Sequence, residues 1–196
     1  MILVFDLDGT LLQSNTVKSA IIKKFLLKHF GENAVAEVYS IQKTRVELLI
    51  ELVPEDLELR QRLLNELSGE LDLAVSTART YPNTHEVLAK LRLLVDAMYL
   101  SSNTPKSSLS AILGANGLVK YFDDYFGSPE TKLHNIKNIR DQNPDSDILV
   151  VGDGIDDLES ALSVNAKFIA INDARTNKTL YPPIKIKDLA QMILDA

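Results

Sequence analysis

The chain has 196 residues, 45% of them apolar, three histidines and a formal charge of -6. Without cysteine it has no disulfide and no thiolate chemistry, and three histidines alone make a structural zinc site a poor fit. The acidic balance disfavours nonspecific contact with nucleic acid or an anionic membrane, and no apolar run approaches spanning length. The N-terminus carries Asp6 and Asp8 inside its apolar run and lacks a basic region, so it reads as a poor signal peptide and the protein as cytoplasmic.

Residues 2–6 form a short apolar run, expected to be a buried strand. It leads into Asp6, Asp8, Gly9 and Thr10. Residues i and i+2 of an extended chain share a side, so both carboxylates can face one site at the carboxyl end of the strand. Two adjacent acids repel. Either a bound cation or a division of acid and base roles would let them coexist.

From Ser14 to Leu73 the period becomes helical. Ser14 suits an N-cap and Gly31 a helix end. Val17, Ile21 and Phe25 share one face. Ile41, Leu48, Leu49, Leu52 and Val53 form a second stripe, and Leu59, Leu63, Leu67 and Leu71 a third. Pro54 separates the last two helices and suits a first turn. After Tyr81-Pro82-Asn83 strands and helices alternate: helix over 84–94, strand 97–100, helix 107–113, a short strand at 124–126, helix 132–141, strand 148–151, helix 158–164, strand 168–171 and helix 187–194. That alternation predicts an α/β fold with a doubly wound parallel sheet, interrupted after its first strand by an all-helical block.

Polar residues cluster where strands should end. These are Asp6 and Asp8; Ser102 and Asn103; Lys132, just inside a helix; and Asp153, Asp156 and Asp157. Taken singly, each has a structural reading. Asp8-Gly9 and Gly152-Asp153-Gly154 make turns, Ser102 caps a helix, and Lys132 is a solvated charge. Their joint order outweighs those readings. FDLDGT, SSN, a lone lysine and VVGDGIDD, in that order, resemble the haloacid dehalogenase superfamily of phosphatases over about two thirds of the chain.

The resemblance implies a Rossmann-like core over 1–13 and 82–196 with an inserted helical cap over 14–81, as in phosphoglycolate phosphatase-like and β-phosphoglucomutase-like members. It implies a Mg²⁺-dependent phosphatase acting on a small phosphomonoester through an aspartyl-phosphate. Asp6 would be the nucleophile and Asp8 the general acid and base. Asp6, the backbone carbonyl of Asp8, and Asp153 would hold Mg²⁺, with Asp157 supporting it through water or Lys132. Ser102 and Asn103 would meet the phosphate, and Lys132 would neutralise the nucleophile and the developing charge. Whether Ser101 or Ser102 supplies the hydroxyl stays open, although its place directly before Asn103 favours Ser102. The role of Asp156 also stays open. In the cap, Lys43-Thr44-Arg45 resembles a substrate-reading segment and makes Arg45 a candidate anion contact, against the alternative of a solvated helix charge.

The chain departs from phosphoglycolate phosphatase-like patterns at Gln13-Ser14, Lys132-Leu133 and Asn165-Ala166, which leaves the substrate unnamed. The rival readings are a phosphomutase on the same machinery and a catalytically silent protein that binds a metabolite or metal. Oligomeric state is not legible. The expected partner is a small phosphorylated metabolite, with neither nucleic acid nor membrane.

Overall fold

The computed structural model describes residues 1–38, 44–172 and 174–194. Ile41 and Lys43 therefore lie outside the described residues. The chain divides into two compact units, Met1–Gln13 with Ala78–Ala196, and Ser14–Thr77.

The first unit is built on a parallel sheet of five strands, β1 (Ile2–Phe5), β2 (Ala97–Pro105), β3 (Asp124–Ser128), β4 (Ile148–Gly152) and β5 (Lys167–Ala170), in spatial order β3-β2-β1-β4-β5. β1 lies at the centre, with Ile2 opposite Ala97 on one side and Ile148 on the other. All four of its residues are buried, which is why it reads as a continuous apolar run without alternation. The chain winds outward from β1 to β2 and β3, then crosses back to β4 and β5. The reversal falls between β1 and β4, and the carboxyl ends of these two strands flank the crevice where such sheets place their sites.

On one face Ile2, Val4, Ile148 and Val150 pack with Ile136 and Ile139 of α6 (Lys132–Gln142) and Ala161 of α7 (Ile155–Ser163). By strand alternation Leu3 and Phe5 point to the other face, where Phe5 meets Phe122 edge-on at 6.1 Å. The remaining helices of this unit are α4 (Thr84–Arg92), α5 (Lys106–Ala115) and α8 (Ile186–Leu194), with a single 3-10 turn at Val119–Tyr121.

Two elements differ from the expected bounds by three residues or more. β2 runs to Pro105, where the strand was expected to end at Leu100 and Ser102 to cap the next helix. Pairing with β3 continues to Pro105 opposite Ser128, past a register shift, and Pro105 itself disfavours helical backbone at Thr104. α7 opens at Ile155 rather than Leu158, so Asp156 and Asp157 occupy its first turn, where acidic side chains complement the helix N-terminus.

The described elements of the second unit are all helices: α1 (Asn15–Val38), α2 (Arg45–Leu52) and α3 (Leu57–Ser76). α1 begins directly after Ser14 and is interrupted by a kink at Gly31, with φ 80 and ψ -175. Thr44 caps α2 in a reciprocal pair with Glu47. Asp56, not Pro54, caps α3, so the proline lies ahead of the helix rather than in its first turn. Phe25 and Leu26, Leu48, Leu49 and Val53, and Leu63, Leu67 and Leu71 form one core. The third sequence stripe thus supplies the buried face of α3, each side chain contributing roughly 1.5–3 kcal/mol by burial.

Candidate active site

Four stretches from the carboxyl side of the sheet supply the site. Just beyond β1 the chain turns sharply through Gly9, whose φ of 80 is a conformation glycine adopts without strain. Asp6 continues the ladder, its backbone N–H donating to Val151 O at 2.9 Å. Its buried carboxylate lies 2.9 Å from Lys132 Nζ and accepts the Thr10 hydroxyl at 3.3 Å. Asp8 accepts the Thr104 hydroxyl, from the end of β2, at 3.2 Å. Asp6 thus faces a buried ammonium as well as a hydroxyl, and Asp8 accepts a hydroxyl from another strand.

Lys132 opens α6, whose N-cap is Thr131. Its side chain is 6% exposed, and its ammonium reaches Asp6 at 2.9 Å, Asp157 at 2.7 Å and Asp156 at 3.1 Å. Burial works against the charge, but Asp157, Asp6 and Asp156 outweigh it and hold the lysine well above its ordinary pKa. It is a fixed cation.

β4 ends at Gly152, and α7 starts after Gly154. Asp157 uses its carboxylate twice, accepting the Gly154 N–H at 3.0 Å and the Lys132 ammonium. Burial pushes Asp157 up to about 6 even against the attraction of Lys132. A Cβ on Gly152 would collide with that carboxyl group, so the close approach requires glycine. Asp156, the residue whose role was open, accepts the Asn103 amide at 2.8 Å as well as Lys132. It ties β2 to α7 across the site.

Burial, the first cause, together with Asp157, Asp153 and Asp8, raises the Asp6 pKa well above its ordinary value, although Lys132 pulls it down. Five carboxylates converge here, those of Asp6, Asp8, Asp153, Asp156 and Asp157, against the charges of Lys132 and Arg175. The cluster is rich in anions and suited to a further cation. Oxygens of Asp6, Asp153 and Asp157, all buried, lie within 4.8 Å of one another. An all-oxygen set of this kind fits a hard divalent ion such as Mg²⁺. The Asp8 side chain is not part of that trio.

Ser101 and Ser102 point differently. Ser101 Oγ accepts the Asn135 amide from α6 at 3.2 Å. Ser102 Oγ accepts the Thr104 backbone N–H at 3.1 Å, beside the residue that holds Asp8. Asn103 is committed to Asp156. Arg45 lies in the helical unit, where its guanidinium donates to Asp72 at 3.1 Å and is 9% exposed. It is an ion-paired residue of that unit, not the solvated charge of the alternative reading.

Sequence reasoning assigned no role to Thr10, Thr104, Asn172 or Arg175. Thr10 stands inside the recognisable FDLDGT run, so the signal was present. Asn172 and Arg175 belong to the loop after β5, whose composition gives no hint of its position.

The family model for haloacid dehalogenase-like hydrolases matches residues 1–165. The chain belongs to that family. No curated protein matches the sequence. Among solved structures, one described as a predicted phosphatase from Clostridium acetobutylicum has a TM-score of 0.79 at 18% identity, over 100% of this chain and 98% of that one. One described as a predicted phosphoglycolate phosphatase from Haemophilus somnus 129pt has 0.76 at 20%, over 98% and 97%. One from Thermotoga maritima with the provisional name β-phosphoglucomutase has 0.71 at 15%, over 100% and 99%. At these identities the likeness is one of fold, and it extends to the whole length of this haloacid dehalogenase-like chain.

Proposed function

We propose that this hydrolase cleaves a small phosphomonoester through an aspartyl-phosphate on Asp6 and that it requires Mg²⁺. The observation that carries the reading is the unequal treatment of two neighbouring acids, Asp6 against Lys132 and Asp8 against the Thr104 hydroxyl. Paired carboxylates in distinct surroundings are how a site separates a nucleophile from an acid and base.

An Asp6 oxygen attacks phosphorus as the bond to the leaving oxygen breaks. Asp8 gives its proton to that oxygen. Asp8, now ionised, accepts a proton from water, whose oxygen attacks phosphorus and breaks the bond to Asp6, releasing phosphate and restoring the carboxylate. Lys132 faces Asp6 throughout and offsets the negative charge that builds there. Asp156 and Asp157 hold Lys132 in place. Ser102, which accepts from Thr104, keeps its own hydroxyl proton to offer a phosphate oxygen. Asp6, Asp153 and the Asp8 carbonyl would hold Mg²⁺ with Asp157 behind them, and the ion would screen the dianionic phosphate from the carboxylates. The helical unit is read as the cap that selects the leaving group, since its insertion point matches that of the caps in this family.

The test is phosphate release from a panel of small phosphomonoesters, with Mg²⁺ or with EDTA, for wild type and Asp6→Asn. Release that depends on Mg²⁺ and disappears in the variant supports the reading. Conversion of a sugar phosphate to its isomer without free phosphate would establish the mutase instead. Folded protein inactive in both assays would favour a silent binding role.

A further inference from the structure

The loop after β5 brings a second cation to the acidic cluster. Asn172, at φ 54, donates its side-chain amide to Gly9 O at 3.2 Å and Thr10 O at 3.0 Å. Its backbone N–H donates to Ile184 O at 2.7 Å, which closes the base of the loop. Arg175 is fastened one step further along. Its backbone N–H donates to Asp153 O at 2.8 Å, and its guanidinium Nη2 lies 3.4 Å from Asp153 Oδ2. The main chain of Arg175 is thus tied to the very residue whose charge its side chain offsets.

The two cations of the site differ in freedom. Lys132 is 6% exposed and gripped by three carboxylates. Arg175 is 48% exposed, while its partner Asp153 is 3% exposed. A half-exposed guanidinium on a long stem can turn to solvent, whereas the buried ammonium cannot. Asp153 is one of the three carboxylates that suit a divalent ion. A dication and a guanidinium cannot both be served fully by one carboxylate, and like charges at such separations repel.

We propose that Arg175 competes with the divalent cation for Asp153 and thereby sets how tightly this site holds Mg²⁺. The proposal rests on the reading of Asp6, Asp153 and the Asp8 carbonyl, with Asp157 behind them, as the metal site. Arg175 yields its place on Asp153 when the ion arrives, and the cost of doing so weakens metal binding. The expected effect is about two- to fivefold in Kd, the scale of one partly exposed ion pair.

The experiment is calorimetric titration of the full chain with MgCl₂, for wild type, Arg175→Gln, Arg175→Lys and Asp153→Asn, with circular dichroism to confirm folding. Arg175→Gln should bind Mg²⁺ about two- to fivefold more tightly, and Arg175→Lys, which keeps the charge, should stay closer to wild type. Unchanged or weaker Mg²⁺ binding in folded Arg175→Gln overturns the proposal. So does equal tightening in the Gln and Lys variants, which would make loss of shape rather than charge the cause. If Arg175→Gln does not fold, Arg175→Met, which also removes the charge, is titrated in its place and read in the same way. Absence of Mg²⁺ binding in wild type and Arg175→Gln alike, or its persistence in Asp153→Asn, would instead refute the metal site itself.

Discussion

Lys132 is the residue on which the site turns. Three carboxylates share one buried ammonium, so its removal leaves two buried carboxylates, Asp6 and Asp157, without their partner. Replacing Lys132 by Met should lower stability by about 3 kcal/mol or more and abolish phosphate release. Thermal melts and the phosphatase assay check the two effects separately. Gly152→Ala should act through the same group without removing any charge. Its methyl would displace the Asp157 carboxyl, and with it Lys132. We expect turnover to fall by about tenfold or more, while the far-UV spectrum stays that of wild type. Full activity would show that Asp157 tolerates displacement. At this scale the sequence exposed the charged residues well, because FDLDGT and VVGDGIDD are distinctive patterns. It did not expose their uncharged partners. Thr104 and Asn103 bind Asp8 and Asp156 from a distant strand, and no local pattern encodes which carboxylate a hydroxyl or amide will reach.

Among the elements, α3 joins α1 and α2 in one helical core, and polar pairs reinforce the packing. Glu66 accepts from Lys28 at 2.6 Å and lies 3.0 Å from His29, both on α1. Hydrogen bonds from Lys28 and His29 lower its pKa from 4.5 to about 2. A depressed acid stabilises the fold above its unfolded pKa and loses that contribution as pH falls toward the folded value. Glu66→Gln should therefore melt below wild type near neutral pH, and the gap should narrow between about pH 5 and pH 3. Arg45 on α2 and Asp72 on α3 form a better shielded pair. Arg45→Ala should lower the melting temperature and leave KM on the best ester unchanged. A raised KM at an unchanged melting temperature would establish Arg45 as a substrate contact. The stripes at Leu48, Leu49 and Val53 and at Leu63, Leu67 and Leu71 were legible as buried faces, since their period is that of the helix. The far end of β2 was not, because its extended form depends on pairing with β3 and on buried hydroxyl bonds.

For the molecule as a whole, the order of strands and helices was legible from alternation and apolar runs. The sheet order follows only from which strands pair. One consequence concerns assembly in time. β1 is the first strand in the chain and the central one in the sheet, with Ile2 opposite Ala97 and Ile148. Both neighbours are remote in sequence, whereas the helices of Ser14–Thr77 form by contacts within that stretch. Closing long loops is slow compared with helix formation, so refolding should show an early helical signal and a later phase in which β1 joins the sheet. On a growing chain the aspartates of the first motif emerge before β2 and β4. Their strand then lacks one of its neighbours until β4 has been made, and over that interval an entirely apolar strand waits in need of cover.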